Sequence, residues 1–514
     1  MQYKIYGVIE VSSYGVSLEI YEISRKNGIK QIDYIRYPLE LGKDSYVHGK
    51  IRQPMAEDLC RLISDFVVKM KGYQVDDYKA VATSAIREAA NSRLVLNLIK
   101  QRTGVSVQVY SNSELRFIGY KAIASNQADF EKIIQKGTAI VDVGAGSIQV
   151  SLFDKDNLIS TQNIVFGNLR IRERLAALRR ETNHYETLVS EMIAAEVTSY
   201  KKMHLKDRKI PHVILTGDFL SDFLAHNPTS DLKDTMSKDE YMAWYEKIVH
   251  MPPLELAEEM GIAAEYATLL VPTAILYKIF VEELGAELVW IPGMELSDGV
   301  AYEYAEKNKL IKPSHNFEND ILMAARNIGK RYAISKSHIT TMNQAALVIF
   351  DSMRKVHGLN KRHRLLLEIA VHLHDCGKYI SLAHVADCSY NIIMSTEIIG
   401  LSHRERQIIA LVVRANTQKL GNYDDDEYRV IGVSGEDYIL IAKLTAILRL
   451  ANALDRTHQQ KIEEIRAMLQ DRRLVIRLTT KKDYTLEMGL LEDKKDFFEE
   501  VFDVRPDIRL KKLV

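Results

Sequence analysis

The stretch Ala139-Ile140-Val141-Asp142-Val143-Gly144-Ala145-Gly146-Ser147 reads as a buried strand that carries one carboxylate to its end and then turns sharply. Gly144 and Gly146 let backbone N–H groups come close to an anion, and Asp142 can hold the divalent metal that accompanies it. The N-terminus carries a blurred copy, Val8-Ile9-Glu10-Val11-Ser12-Ser13-Tyr14-Gly15. Both copies run apolar, apolar, acid, Val, then small residues, and both continue into a second apolar strand. A lone glycine-rich hairpin with an aspartate is most simply a turn. The echo at Glu10 shifts the reading to two duplicated lobes that face each other across a phosphate cleft. Ser12 stands where the second copy has Gly144, so the N-terminal turn is the stiffer of the two.

At 514 residues the chain is too long for one core, and three or four domains are expected. Hydrophobic content of 46% and charged content of 27% are those of a soluble globular protein. Lysine plus arginine equals aspartate plus glutamate at 69 each, so no global basic field serves nucleic acid or a membrane surface. A polyanionic ligand has to be met by a metal and by local arginines, such as Arg170, Arg172, Arg174, Arg179 and Arg180. The cysteines, Cys60, Cys376 and Cys388, have no paired metal spacing, and their odd number argues against a disulfide framework. The start lacks a charged segment followed by an apolar one. The most apolar region, 267–291, is broken by Lys278, Glu282, Glu283 and Glu287. A cytoplasmic protein is the expectation.

Up to about residue 127, strand-like runs at 5–11, 16–22, 32–37, 80–82 and 105–110 alternate with helical patterns at 53–70 and from Glu114 onward. Polar residues follow the strand ends, where crevices form in open α/β sheets. A second lobe runs from near Lys136 to near Asn308 and includes a strand at 213–215 leading into Thr216-Gly217-Asp218. Lys312-Pro313-Ser314-His315 reads as a linker. From 317 to about 468 the pattern is almost wholly helical. The tail reads as strands at 474–479 and 485–490, a helix at 494–502 and a last strand.

Thr83-Ser84-Ala85 and Arg87 follow a buried strand; hydroxyls, helix-start N–H groups and a planar cation suit a phosphate. Taken alone they describe an N-capped helix with a surface arginine. Glu114 follows another strand and is placed to orient and deprotonate a water aimed at a terminal phosphorus; taken alone it favours a helix dipole.

Val81-Ala82-Thr83-Ser84-Ala85-Ile86-Arg87-Glu88-Ala89-Ala90-Asn91 resembles the ATSA-x-RxA-xN signature of the exopolyphosphatase/guanosine pentaphosphate phosphohydrolase (Ppx/GppA) family. The 142–147 turn resembles its DxGGGS phosphate loop, and Phe166-Gly167-Asn168-Leu169-Arg170 resembles its GxxRL segment. The resemblance continues through Leu401-Ser402-His403-Arg404-Glu405 and into the tail. It implies an α/β fold of duplicated actin-like (ribonuclease H-like) lobes at 1–128 and 129–310. An all-α HD-like domain at 311–468 and a small α/β cap at 469–514 follow.

The resemblance further implies a catalytic set of Glu114, Asp142 and Glu10, with Glu114 activating water and Asp142 and Glu10 holding Mg2+. Phosphate contacts fall to Ser12, Ser13, Arg87, Gly144, Ala145, Gly146, Ser147 and Gly217. The implied reaction removes the terminal phosphate of inorganic polyphosphate or pppGpp; the implied partners are inorganic polyphosphate or guanosine penta- or tetraphosphate, and a homodimer. Against the family pattern, the first loop has Glu10, Ser12, Ser13, Tyr14 and Gly15 where Asp-x-Gly-Ser-Asn-Ser is usual. Gln149 replaces a glutamate, and Asp218 replaces a residue of a Gly-Gly-Thr turn.

His338, the pair His374-Asp375, and Asp455 stand in the H…HD…D order of an HD-domain metal site, which makes a second divalent ion an expectation. Each of these histidines alone is more simply a packing residue. Three readings stay open: a magnesium-dependent phosphohydrolase at the cleft, a hydrolase in the helical domain, and a catalytically weakened regulator that binds polyphosphate or (p)ppGpp.

Overall fold

The computed structural model describes residues 3–126, 130–135, 137–155, 157–176, 178, 184–217, 234–262, 264–312 and 315–512. Asp218, Arg179, Arg180 and the Pro313-Ser314 of the expected linker lie outside the described residues. The chain divides into two compact units, Met1–Phe317 and Glu318–Val514.

In the first unit one topology occurs twice. The first sheet holds β1 (Tyr3–Val11), β2 (Gly15–Ser24), β3 (Gly28–Pro38), β4 (Asp77–Ala82) and β5 (Val107–Val109) in the order β3-β2-β1-β4-β5. Its first three strands form an antiparallel meander, and β4 and β5 extend it in parallel from β1. The second sheet holds β6 (Thr138–Val143), β7 (Ile148–Asp154), β8 (Asn157–Ile164), β9 (His212–Thr216), β10 (Thr235–Ser237) and β11 (Leu288–Trp290). Its order, β8-β7-β6-β9-β11, repeats the first, with β10 added antiparallel at the edge.

The repeat extends to register. Glu10 lies opposite Ser17 and Asp142 opposite Gln149, seven positions in each case (17 − 10 and 149 − 142). Both turns close with the same bond: Ser12 N–H donates to Gly15 O at 2.9 Å and Gly144 N–H to Ser147 O at 3.0 Å.

Helices cover the sheets. Gln53–Gly72 opens with Pro54 at its start and buries Ala56, Leu59, Ile63, Phe66 and Met70 at three- and four-residue spacing. That stripe packs on Val11, Val16 and Leu18 of the first sheet, the arrangement expected of an amphipathic helix on a sheet. The opposite face of the sheet is covered by Asn112–Asn126 and by Leu296–Lys307, through which the chain returns to its first lobe. Much of the apolar 267–291 region lies in the core of the second lobe, in the helix Ala264–Leu284 and in β11. Among the described residues no helix is long and apolar enough to cross a membrane.

The second unit is a set of helices, including Lys336–Ser352, Lys361–Leu373, His403–Thr417 and Gly435–Leu454, followed by a sheet of β12 (Glu464–Gln470), β13 (Arg473–Thr480) and β14 (Arg505–Lys512). Two expectations fail here. Residues 464–470 are a strand that straddles the expected 468/469 boundary, because the helix before it stops at Leu454 and the Asp455 carboxylate holds the Gln460 N–H at 2.9 Å. Residues 485–490 are not a strand: Thr485–Gly489 is a helix. Its inward residue is Glu487, fully buried against Lys461 Nζ at 2.8 Å, while Leu486 and Leu490 face out. A buried ion pair inverted the pattern that apolar alternation implies.

Candidate active site

The ends of β1, β4 and β6, with the turns after them, frame a cavity of about 110 Å³ that opens to solvent. Glu10, Ser12, Arg87, Asp142, Gly144, Ala145, Gly146, Ser147 and Gly217 line it. Ser13 and Glu114 are not among its lining residues.

Register explains the walls. On the first sheet Glu10, Ser17 and Arg36 form one cross-strand row, and all three line the cavity. On the second sheet Asp142, Gln149 and Asn163 form the equivalent row, and the first two line it. Side chains in such a row share a face of the sheet. Thr216, beside Asp142 on β9, places its hydroxyl 3.4 Å from the Asp142 carboxylate.

Arg87 projects from the five-residue helix Ser84–Glu88 and is fixed from two sides. Its guanidinium donates to the Tyr110 carbonyl at 2.8 Å and to the Asn112 side chain at 2.5 Å. Arg116 is buried; its Nε donates to Gln149 Oε1 at 2.9 Å and another of its nitrogens to the Thr161 hydroxyl. Glu114 is engaged elsewhere: its carboxylate accepts from the Ser111 N–H at 2.9 Å and the Ser111 hydroxyl at 2.8 Å, a capping arrangement at the start of the helix Asn112–Asn126.

Three hydroxyls meet beside the glycine turn. Ser13, Tyr46 and Ser84 form a closed triangle with sides of 2.8, 2.8 and 3.0 Å. Burial pushes the Tyr46 phenol up, and the two serine hydrogen bonds work against that shift. The triangle engages the Ser13 hydroxyl, and of its three members Ser84 lines the cavity. The Ser12 hydroxyl is likewise turned onto Gly15, at 3.0 Å from its carbonyl.

The glycine turn lies directly against the triangle: a Cβ on Gly146 would stand 2.6 Å from the Tyr46 hydroxyl. From behind, Gly167 approaches so closely that a Cβ there would stand 2.3 Å from the backbone of residues 144 and 145. Arg170 seals the same edge, stacked 4.4 Å over the Tyr46 ring, with Nε donating to Gly146 O at 3.1 Å and a bond to Glu88 at 2.6 Å. Arg170 and Arg172 are therefore tied into ion pairs, Arg172 with Glu40 and Glu173. Tyr14, the bulky departure in the first loop, packs beside Leu169, Leu269 and Ala145 rather than lining the cavity.

Below the cavity two buried acids share a network. Tyr21 OH lies 2.6 Å from Glu19 and 3.1 Å from Asp298, and the Ser297 hydroxyl donates to Glu19. Burial, and then the Asp298 charge, push the Glu19 carboxyl up to about 7.

Arg36, Arg116, Asn112, Tyr120 and Glu295 line the cavity without having been singled out in the sequence. Arg36 stands opposite Ser17, a register that the sequence alone does not fix. Arg116 lies two positions beyond Glu114 on the same helix.

In the second unit the structure brings the H…HD…D residues together. His338 Nδ1 is 2.8 Å from Asp455 Oδ2, the His338 and His374 rings lie 5.2 Å apart, and His374 Nε2 is 3.4 Å from Asp375 Oδ2. Lys378 Nζ sits 2.5 Å from that same Asp375 oxygen. His458 stacks on His338 at 3.6 Å, and burial, then the neighbouring His338, push its imidazole down to about 4. Among the described residues, no three His, Cys, Asp or Glu side chains converge closely enough to hold a metal ion.

A family model described as the Ppx/GppA phosphatase family matches residues 20–308, and one described as Ppx/GppA phosphatase, domain III, matches 322–496. The first match begins beyond Glu10, Ser12 and Ser13. Exopolyphosphatase 1 of Mycobacterium leprae (strain TN) is 29% identical over 148 residues, 28% of this chain and 42% of that protein. Exopolyphosphatase 1 of Mycobacterium tuberculosis H37Rv is 28% identical over 148 residues, 28% of this chain and 41% of that protein. The chain thus spans about two fifths of the length of these curated relatives. The crystal structure of an exopolyphosphatase from Cytophaga hutchinsonii ATCC 33406 superposes with a TM-score of 0.52 at 16% identity, over 60% of this chain and 100% of that one.

Proposed function

The chain belongs to the Ppx/GppA phosphatase family, and from that membership we propose that it hydrolyses the terminal phosphoanhydride of inorganic polyphosphate or of pppGpp. One observation carries the reading: Glu10 and Asp142 stand at equivalent ends of duplicated strands and line one cavity together with the 144–147 turn.

The donors offered there, two carboxylates with hydroxyl and carbonyl oxygens, suit a hard divalent ion, with Glu10 and Asp142 as its holders. Magnesium at that place supplies charge neutralisation on the phosphate oxygens. The chain's own groups do the rest. The backbone of residues 144–147 cradles the terminal phosphate, and Arg87 and Arg116 meet its spreading negative charge. Glu114 aligns the attacking water, for which it must leave Ser111. We read the first unit as lobes 1–128 and 129–310, with the helix Leu296–Lys307 crossing back onto the first sheet, and the second unit as an HD-like domain whose cap begins with β12 at Glu464 rather than at 469. The working form is a cytoplasmic homodimer.

The test is phosphate release from long-chain polyphosphate and from pppGpp by wild type, Asp142→Asn and Asp375→Ala. Loss confined to Asp142→Asn supports hydrolysis at the cleft, and loss confined to Asp375→Ala moves it to the helical unit. The hold of Ser111 on Glu114 favours a second reading, a polyphosphate- or (p)ppGpp-binding regulator with little turnover. Tight binding without phosphate release by any of the three proteins would establish that reading instead.

A further inference from the structure

Charges balance over the whole chain, 69 against 69, but not over the sheet of the second unit. The register of β12, β13 and β14 sets Arg466 beside Arg477 and Arg477 beside Arg509, one arginine per strand in a single cross-strand row. Alternation along β13 and β14 places Arg473 and Lys511 on the same face. All five side chains are exposed. The opposite face, with Leu474, Ile476, Leu478 and Ile508, is buried.

Folding does not account for the row. Neighbouring strands lie about 4.8 Å apart, and like charges directly opposite one another destabilise a sheet. Arg466 lies 2.5 Å from Glu464 and Arg509 2.8 Å from Asp507, each two residues along its own strand. Such exposed pairs are weak and readily exchanged. On the central strand, Arg473 and Arg477 have no ion-pair or hydrogen-bond partner among the described residues. Arg505, at the start of β14, is tied instead to Glu492, Asp496 and Glu499. Guanidinium groups held side by side against their own repulsion make a surface for phosphate.

We propose that this face binds a single-stranded nucleic acid by its phosphates. A flat sheet has nothing to enter a duplex groove, but it is a surface on which an extended strand lies. The three strands contain no aromatic residue, so bases are not stacked and binding tolerates any sequence. Met468, 50% exposed, stands in the next row of this face beside the buried Val475. Its thioether gives the organic part of a nucleotide an apolar contact that a bare phosphate chain cannot use. Asp507 completes that row, and its carboxylate disfavours the denser charge of inorganic polyphosphate. The proposal is independent of the chemistry at the cleft.

The experiment is binding of a fluorescein-labelled oligouridylate to the full chain, followed by anisotropy between about 50 and 200 mM salt. The affinity should fall with salt at a log–log slope of about −3, since each phosphate contact on a single strand contributes about −0.7. Arg477→Glu should weaken binding at least about tenfold. It should also raise the melting temperature, because the new carboxylate faces Arg466 and Arg509. A merely damaged surface would not move the two readouts in opposite directions. Arg473→Glu should weaken binding as well, and serves if the first variant fails to fold. Absence of binding by the wild type at the lowest salt overturns the proposal, as does unchanged affinity in the variants. Long-chain polyphosphate binding that falls in Arg477→Glu while oligouridylate binding does not would assign the face to a bare phosphate chain and likewise overturns it.

Discussion

Arg116 Nε donates to Gln149 Oε1 at 2.9 Å, joining the helix that carries Glu114 to the strand paired with Asp142. Arg116→Met should destabilise the chain by about 1–3 kcal/mol, because it strands the Gln149 and Thr161 groups. It should also lower phosphate release at least about tenfold by removing a cavity cation. Arg116→Lys should recover little of either, since a point charge cannot reproduce a two-pronged contact. Gln149→Glu makes the contact charge-assisted and should stabilise by about 1 kcal/mol. Thermal melts and phosphate-release assays on the three variants check this.

Gly146 and Tyr46 give a steric prediction. Alanine at 146 would put a Cβ 2.6 Å from a phenol held by two serines and covered by Arg170. Gly146→Ala should cost about 1–3 kcal/mol and should raise KM as the turn moves. Adding Tyr46→Phe removes the clashing oxygen and should restore part of both losses. Gly167→Ala meets backbone instead, at 2.3 Å, and should have no such rescue. Urea midpoints and KM values across the four proteins decide it.

The duplicated hairpins were legible because each couples apolar alternation to an acid at a strand end, and backbone register then forces the same geometry on both. What escaped was set by hydrogen-bond and ion-pair partners that periodicity does not name, some three residues away and some far along the chain. Ser12 and Ser13 read as phosphate contacts, yet Gly15 and the Tyr46–Ser84 pair engage their hydroxyls. Glu114 read as a cavity acid, yet Ser111 three residues away holds it. Residues 485–490 read as a strand because a buried glutamate looks polar until Lys461 is placed beside it. Arg36 reaches the cavity through its pairing with Ser17, a register that strand alternation alone does not fix.

Glu19 predicts a pH dependence. Folded Glu19 holds its proton up to about pH 7, against an ordinary value of 4.5. Its contribution to stability is therefore full below about pH 4.5 and is lost as the pH rises through about 7. Glu19→Gln keeps the side chain neutral throughout. Urea midpoints at pH 5 and pH 8 should fall more in the wild type than in the variant; equal falls would show that the Glu19–Asp298 pair does not carry the effect.

Glu114 offers the sharpest test of the cleft chemistry, because its structural and chemical roles respond differently to one atom. Gln at 114 still accepts from the Ser111 N–H, so the cap should survive within about 0.5 kcal/mol. It cannot accept a proton from water, so phosphate release should fall about 10²–10⁴-fold if Glu114 is the base. Ser111→Ala keeps the backbone donor and removes the hydroxyl at 2.8 Å, loosening Glu114 from its cap. Turnover should then rise or hold while the helix start weakens by a few tenths of a kcal/mol, up to about 1. A Glu114→Gln protein with undiminished phosphate release would leave Glu10, Asp142 and Glu295 as the cavity acids able to align the water, and Glu114 as a cap alone.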